Sequence, residues 1–462
     1  MRRETGHEVS KGAALLVACM AGFLTPFMVS SISVALPAIS KDFNLNAVIL
    51  AWIPTAYLLA AAIFLVPFGR IADIHGRKKV FLYGMILYTI SCFLLPFSKS
   101  EAMLLVFRVL EGIGSAAIFS TGTAILISVF PPGERGKALG INVAAVYAGL
   151  SLGPAIGGFL TEHFTWRSIF FINGPLGLVV VALVLTKLRG EWTEAKGEKL
   201  DVIGSIIYGL GLAALIIGFS MFPKANGVWL LAAGVAGLLL FIFLETRIKH
   251  PVLNLRLFRH NTVFTMSNVA ALINYSATAG VVFLLSLYLQ YIKGFTAERA
   301  GLVLLVQPLV MSALSPLAGR MSDRMEPRVV ATAGMALTTA GLVPLIFLNR
   351  DSGVWYIVMC LLLLGLGFGL FSSPNTNAVM SSVERKFYGV ASATLATMRL
   401  VGQMLSLATV MLLFSVIIGK VQITPEYYDA FLTSSRVGFT VFAALCFVGI
   451  FASVARGKVK RQ

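Results

Sequence analysis

Charge is what this sequence has least of. Asp, Glu, Lys and Arg together make up 12% of its 462 residues, where about 25% is usual for a soluble chain. Long polar stretches are missing as well. The longest connection between apolar runs is about fifteen residues, which leaves no room for a soluble domain. The four cysteines (Cys19, Cys92, Cys360, Cys446) all fall in apolar runs, so no disulfide framework is implied. The five histidines lie in loops or tails, no metal-ligand spacing occurs, and no glycine-rich phosphate loop is present. An enzyme, a metal or cofactor, and an ATP-driven pump are therefore not expected.

Apolar residues fill the space that charge leaves. They are 58% of the chain, in runs near the ~20 residues that cross a bilayer as a helix. Fourteen such runs are expected, at about 13–38, 48–69, 79–97, 102–128, 136–161, 167–186, 202–221, 228–246, 263–291, 298–319, 329–348, 354–380, 388–418 and 436–455. The fold class is all-α and polytopic; a β-barrel would need alternating strands of about ten residues. The first run is too long for a signal-peptide core and has no clear small-residue cleavage site, so it reads as a retained span.

The net charge of +17 could suggest nucleic acid, but its distribution argues against such a partner. Placing the N-terminus in the cytoplasm puts 26 Lys and Arg in cytoplasmic segments and 9 in outer loops, with Arg108 and Arg399 inside spans. The basic clusters alternate: Arg70/Arg77/Lys78/Lys79, Arg135/Lys137, Lys187/Arg189, Arg256/Arg259, Arg320/Arg324/Arg328 and Arg456/Lys458/Lys460/Arg461. That is the positive-inside bias, and it predicts both termini in the cytoplasm. Trp166, Trp192, Trp229 and Trp355 lie at or beyond run ends, as interfacial anchors would.

An internal repeat sets the organisation. GRIADIHGRKKV (69–80) resembles GRMSDRMEPRVV (319–330) at an offset of 250, and PGERGKALGINV (132–143) is weakly echoed by SVERKFYGVASA (382–393) at the same offset. Two six-helix halves joined directly would be offset by about 190, so runs seven and eight read as an insertion between parallel repeats. The expected division is a cytoplasmic segment 1–12, a six-helix bundle 13–186, two inserted helices with linkers 187–262, a second bundle 263–455 and a basic tail 456–462.

Several segments carry a family resemblance. Residues 69–80 closely resemble the G-x-x-x-D-x-x-G-R-[KR] loop of the major facilitator superfamily, with Gly69, Arg70, Asp73, Gly76, Arg77 and Lys78 in place. Gly69 and Gly76 suit a tight turn and close helix approach, Asp73 can cap a helix or pair with Arg77, and the cluster can latch two halves together. Residues 140–158 match G-x8-G-x3-GP-x2-GG through Gly140, Gly149, Gly153, Pro154, Gly157 and Gly158. Such glycines let helix backbones approach closely, and Pro154 frees a carbonyl. In the superfamily this pattern marks antiporters. RVLEGIG (108–114) is similar to the fourth-helix R-x-x-Q-G-x-G, and WRSIFFINGPLG (166–177) to a sixth-helix element. DVIGSI (201–206) and HPVLNLRLFRH (250–260) are similar to segments flanking the extra helices of fourteen-span drug:proton antiporters.

The resemblance implies two six-helix bundles plus two inserted helices. It also implies proton-coupled export of hydrophobic or amphipathic compounds by alternating access. The setting would be a prokaryotic cytoplasmic membrane, with a small-molecule substrate, protons and the bilayer as partners and the monomer as working unit. An organic anion, a metabolite or a lipid-like molecule is the alternative substrate class. The family's usual first-helix aspartate corresponds to Met28 here, and its usual fourth-helix glutamine to Glu111.

Nearly all acids lie in loops or at helix ends; Glu111 is the exception. It sits three residues from Arg108, on one helix face, about 15 Å from the helix start at 1.5 Å per residue. A mid-membrane charge faces a cavity or a partner. Glu111 is the candidate proton carrier with Arg108 beside it, against a permanent structural ion pair. Arg399 has no acid one turn away, and could bind an anionic group or anchor backbone carbonyls. Polar candidates for a largely apolar substrate cavity are Tyr57, Asn142, Tyr147, Asn274, Gln307, Asn375 and Gln403, with Asn173, Asn268, Gln290 and Asn377 also inside spans. Each serves equally well in helix–helix hydrogen bonding.

Overall fold

The computed structural model describes residues 10–248, 258, 261–384 and 388–457. The expected 1–12 segment and basic tail, the 250–260 segment and the 382–393 echo therefore fall partly outside the described residues. Fourteen helical stretches among them are long and apolar enough to span a membrane, and the chain is an all-helical, multi-pass membrane protein.

The first half comprises α1 (Lys11–Phe43), α2 (Ala47–His75), α3 (Arg77–Leu94), α4 (Glu101–Val129), α5 (Pro132–His163) and α6 (Ser168–Thr186). The inserted pair is α7 (Val202–Met221) and α8 (Ala225–Glu245). The second half comprises α9 (Thr262–Leu287), α10 (Ala297–Leu304), α11 (Val306–Arg324), α12 (Pro327–Leu345), α13 (Val354–Ser381), α14 (Tyr388–Leu413) and α15 (Tyr428–Ala455). α10 and α11 form one span interrupted at Leu305. Polar caps start the helices where the chain emerges. Ser10 Oγ accepts from Ala13 N–H, Asn46 Oδ1 from Ile49 N–H, and Asp201 Oδ1 from Gly204 N–H.

Glycine decides which helices pack most closely. Cβ atoms at Gly149 and Gly153 would run into the α1 backbone at Phe23 and Phe27, and one at Gly157 would lie 2.7 Å from Ser31 Cα. α5 and α1 therefore pack backbone to backbone. Gly140 departs from the expectation: a Cβ there meets nothing within 4 Å, because it lies on an exposed face of α5, while Ala138 and Asn142 on either side of it still reach α1 at Ala18. Gly69 departs as well. It is interior to α2 with only an ordinary contact to Ser120, and the turn belongs to Gly76 alone, at φ +119°. Trp166 is buried and donates to Asp42 rather than facing lipid, whereas Trp229 and Trp355 stay exposed.

The described bonds between the two halves concentrate at one end. At the end away from the basic loops, Ser286 Oγ donates to Ser33 O (2.6 Å) and Gln290 Nε2 to Val34 O (2.9 Å). Ala297 N–H donates to Glu162, and His163 meets Glu298 at 3.1 Å. Ala47 N–H reaches Val421 O. Gly158 faces the Ala297 carbonyl and Gly301 the Pro154 carbonyl, with no room for a Cβ at either. At the basic end, Cβ atoms built at Gly136, Gly140 and Gly389 meet no atom within 4 Å. The described bonds between the halves thus pin one mouth, with Tyr147–Ser372 at mid-depth, and none of them lies at the basic mouth.

Candidate functional site

Arg108 and Glu111 lie inside the first half and not in the space between halves. Both side chains have 0% exposure. Arg108 Nη1 donates to Glu111 Oε2 at 2.6 Å, Nε donates to Ile53 O on α2, and the guanidinium lies 4.7 Å from the Tyr57 ring centroid. Tyr57 O–H donates to Ser115 Oγ at 2.8 Å. The two glycines of RVLEGIG seat this pair: Gly112 lets α2 approach at the Tyr57 carbonyl, and Gly114 lets α3 approach at Tyr88. Arg108 Nη2 and Glu111 Oε1 have no partner. Tyr57 thus leaves the group of cavity candidates; it is bound up with the ion pair.

The space between halves holds a different charge. Arg399, on α14, is half-buried. Its Nη2 donates to Thr376 Oγ1 on α13 at 2.6 Å, and its Cζ lies 5.7 Å from the Tyr275 ring centroid on α9. One turn before Thr376 on α13 stands Ser372, whose Oγ is 3.2 Å from Tyr147 O–H on α5 of the other half. Tyr275 packs edge-on against Phe368 (5.2 Å, 86°) and clusters with Met311, Tyr147 and Leu150. A polar strip and an apolar floor run side by side from one half to the other.

The remaining candidates divide. Asn142 Nδ2 donates to Ala18 O and Asn375 Nδ2 to Ser267 O, which are helix-to-helix bonds inside a half. Asn274 and Gln307 are buried with amide atoms unpartnered, and Gln403 is half-buried near Arg399 in sequence. Met28 is fully buried in the first-half core.

The basic loop finds partners that the sequence reading did not name. Arg77 is buried, donating to Asp73 Oδ1 (2.8 and 3.0 Å) and to Ser128 Oγ (2.7 Å). Around it folds the 187–201 linker. Glu194 pairs with Arg77 at 2.8 Å, Glu198 with Arg70, and Asp73 O accepts from the N–H groups of Glu194 and Ala195. Glu191 caps α3 by accepting from Lys78 N–H (2.8 Å) and Lys79 N–H (3.2 Å). In this conformation the loop holds the linker of its own half. Lys78 contributes its backbone to this contact. The signal was present in EWTEAKGEK (191–199), which concentrates three glutamates in an acid-poor chain.

Comparison with known proteins agrees with this architecture. The sequence matches the profile of the Major Facilitator Superfamily over residues 18–407 and again over 267–458. It is 31% identical over 447 residues to the riboflavin transporter RibZ of Clostridioides difficile, covering 96% of this chain and 97% of that one. It is 30% identical to the multidrug resistance protein Stp of Mycobacterium tuberculosis, covering 82% and 71%. The fold superposes on a bacterial homologue of the human lysosomal transporter Spinster, in an inward-facing, unoccupied conformation. That match has a TM-score of 0.70 and 16% identity, and covers 98% of each chain. The chain belongs to the major facilitator superfamily.

Proposed function

We propose that this superfamily member is a proton-coupled secondary transporter that exports hydrophobic or amphipathic small molecules by alternating access. It would sit in a prokaryotic cytoplasmic membrane with its basic end inside. The observation that carries this reading is the pair of halves whose described bonds pin one mouth and leave the basic one unpinned, around a half-buried polar strip. Rocking the halves about that strip exposes it to each side in turn.

Export direction is supported by the glycine pattern of α5, whose resemblance is to antiporters. Relatives named for multidrug resistance and for tetracenomycin C export support it too. The proton role falls to Glu111. A carboxyl with one oxygen on Arg108 and the other free can take a proton there, and protonation removes the charge that holds Arg108. Arg108 then keeps Ile53 O and the Tyr57 face as partners.

The test is transport in proteoliposomes with an imposed pH gradient, comparing the native protein with Glu111→Gln. Gradient-driven flux should fall to the level of passive counterflow in the variant. Undiminished gradient-driven flux in Glu111→Gln would remove Glu111 from the mechanism.

A further inference from the structure

The charge inventory of the space between halves is one-sided. Arg399 is placed there with its Nη2 on Thr376 and its Nε without a partner. No acid answers it. Glu111, the acid deep in a span, is spent on Arg108 within the first half. An unmatched guanidinium at mid-depth is costly in a membrane setting, and low-dielectric walls around it focus its field on an approaching anion. Guanidinium also suits planar oxyanions, which it can receive with two parallel N–H groups.

Beside this cation the surface has two characters. The polar strip runs Arg399, Thr376, Ser372, Tyr147, the last two linked at 3.2 Å. The apolar floor is the nearly buried cluster of Tyr275, Phe368 and Met311, each at most 9% exposed, with Leu150 packed against it. Arg399 joins the two, since its guanidinium bonds the strip and lies over the Tyr275 ring. A molecule that fits carries one anionic group and an apolar body.

Building on the transport reading above, we infer that the site between the halves is selective for amphipathic organic anions. Arg399 receives the anionic group, and the Tyr275–Phe368–Met311 floor receives the body. Amphipathic cations are disfavoured by the same guanidinium.

Two matched fluorescent pairs test this: fluorescein against rhodamine 123, and 1-pyrenebutyrate against 1-pyrenemethylammonium. Binding to the purified full chain is read by anisotropy, and counterflow is read in proteoliposomes. The anion of each pair should bind at least tenfold tighter than its cation. Arg399→Gln should lose that preference, and Arg399→Lys should keep part of it. Thermal unfolding of both variants in detergent checks that they remain folded, and the pyrene cation serves as a binding control that Arg399→Gln leaves unchanged or improves. Tighter binding of the cations, anion binding indifferent to Arg399→Gln, or no binding of either anion overturns the inference. Counterflow of a cation without anion binding overturns the inference alone and leaves alternating access standing. Anion binding without counterflow of any probe does the reverse.

Discussion

Arg77 holds Glu194 at 2.8 Å while gripping Asp73 with the same guanidinium, so a linker acid completes the charge cluster of the turn between α2 and α3. The linker's hold is shared among Glu191, Glu194 and Glu198 and the backbone bonds to Asp73 O. Any state in which the second half closes on this turn must compete with those contacts.

Glu194 is largely exposed and Glu198 partly so, and such ion pairs are worth about 0.2–1 kcal/mol each. Glu194→Ala combined with Glu198→Ala should therefore move the conformer ratio by no more than roughly thirtyfold, toward closure of the basic mouth. Spin labels at residues 136 and 389, both in open space here, would report a shorter distance population. Arg77→Ala should act differently. It strips a buried guanidinium from Asp73 and Ser128, and it should cost about 2 kcal/mol of stability.

The glycines of α5 should separate into three responses. Gly157→Val overpacks the α1 interface at Ser31 and should cost about 1–3 kcal/mol in thermal unfolding experiments. Gly140→Ala should stay within about 0.5 kcal/mol of the parent. Gly158→Ala meets the Ala297 carbonyl of the other half, and Gly301→Ala meets Pro154. Both should leave each half intact while prying the closed mouth open, seen as greater cysteine labelling at introduced sites near residues 33 and 286.

The buried pair gives a double-mutant test. Glu111→Leu leaves Arg108 uncompensated in the core and should cost about 3–5 kcal/mol. Arg108→Met combined with Glu111→Leu should be less destabilising than Glu111→Leu alone, because no lone charge remains. Detergent thermal unfolding of the two single variants and the double variant closes the cycle. A double variant that loses the sum of both single losses would mean the two side chains do not act as a pair.

Spans and repeat were open to reading because the bilayer imposes a long apolar run on each helix, and because the two turns at 69–80 and 319–330 share a pattern. The structure puts helix–turn–helix junctions at both, with Gly76 at positive φ in the first and Glu326 at φ −69° in the second. The Arg108–Glu111 contact was legible from its three-residue spacing. What spacing does not carry is the identity of the neighbour across the interface. Tyr57 and Asn142 look like cavity residues on a helical wheel, yet one turns to Ser115 and the other to Ala18 within the same half. Gly140 shares its pattern with Gly149 and Gly153 but lies on a face of α5 turned away from α1. The 187–201 linker has no periodicity to betray its fold, and only its cluster of glutamates hinted at the basic turn.

The inserted pair has a consequence of its own. α7 rests on α2 through Tyr208 O–H to Ala62 O, and Ser415, just beyond α14, donates to Phe222 O where α7 ends. The pair thus lies across the α2–α14 seam, one of the two most extensive contacts between the halves; the other, between α5 and α10, has no such cover among the described residues. The molecule is lopsided toward lipid. A molecule in the leaflet meets the inserted pair on one flank and the backbone-tight α5–α10 contact on the other.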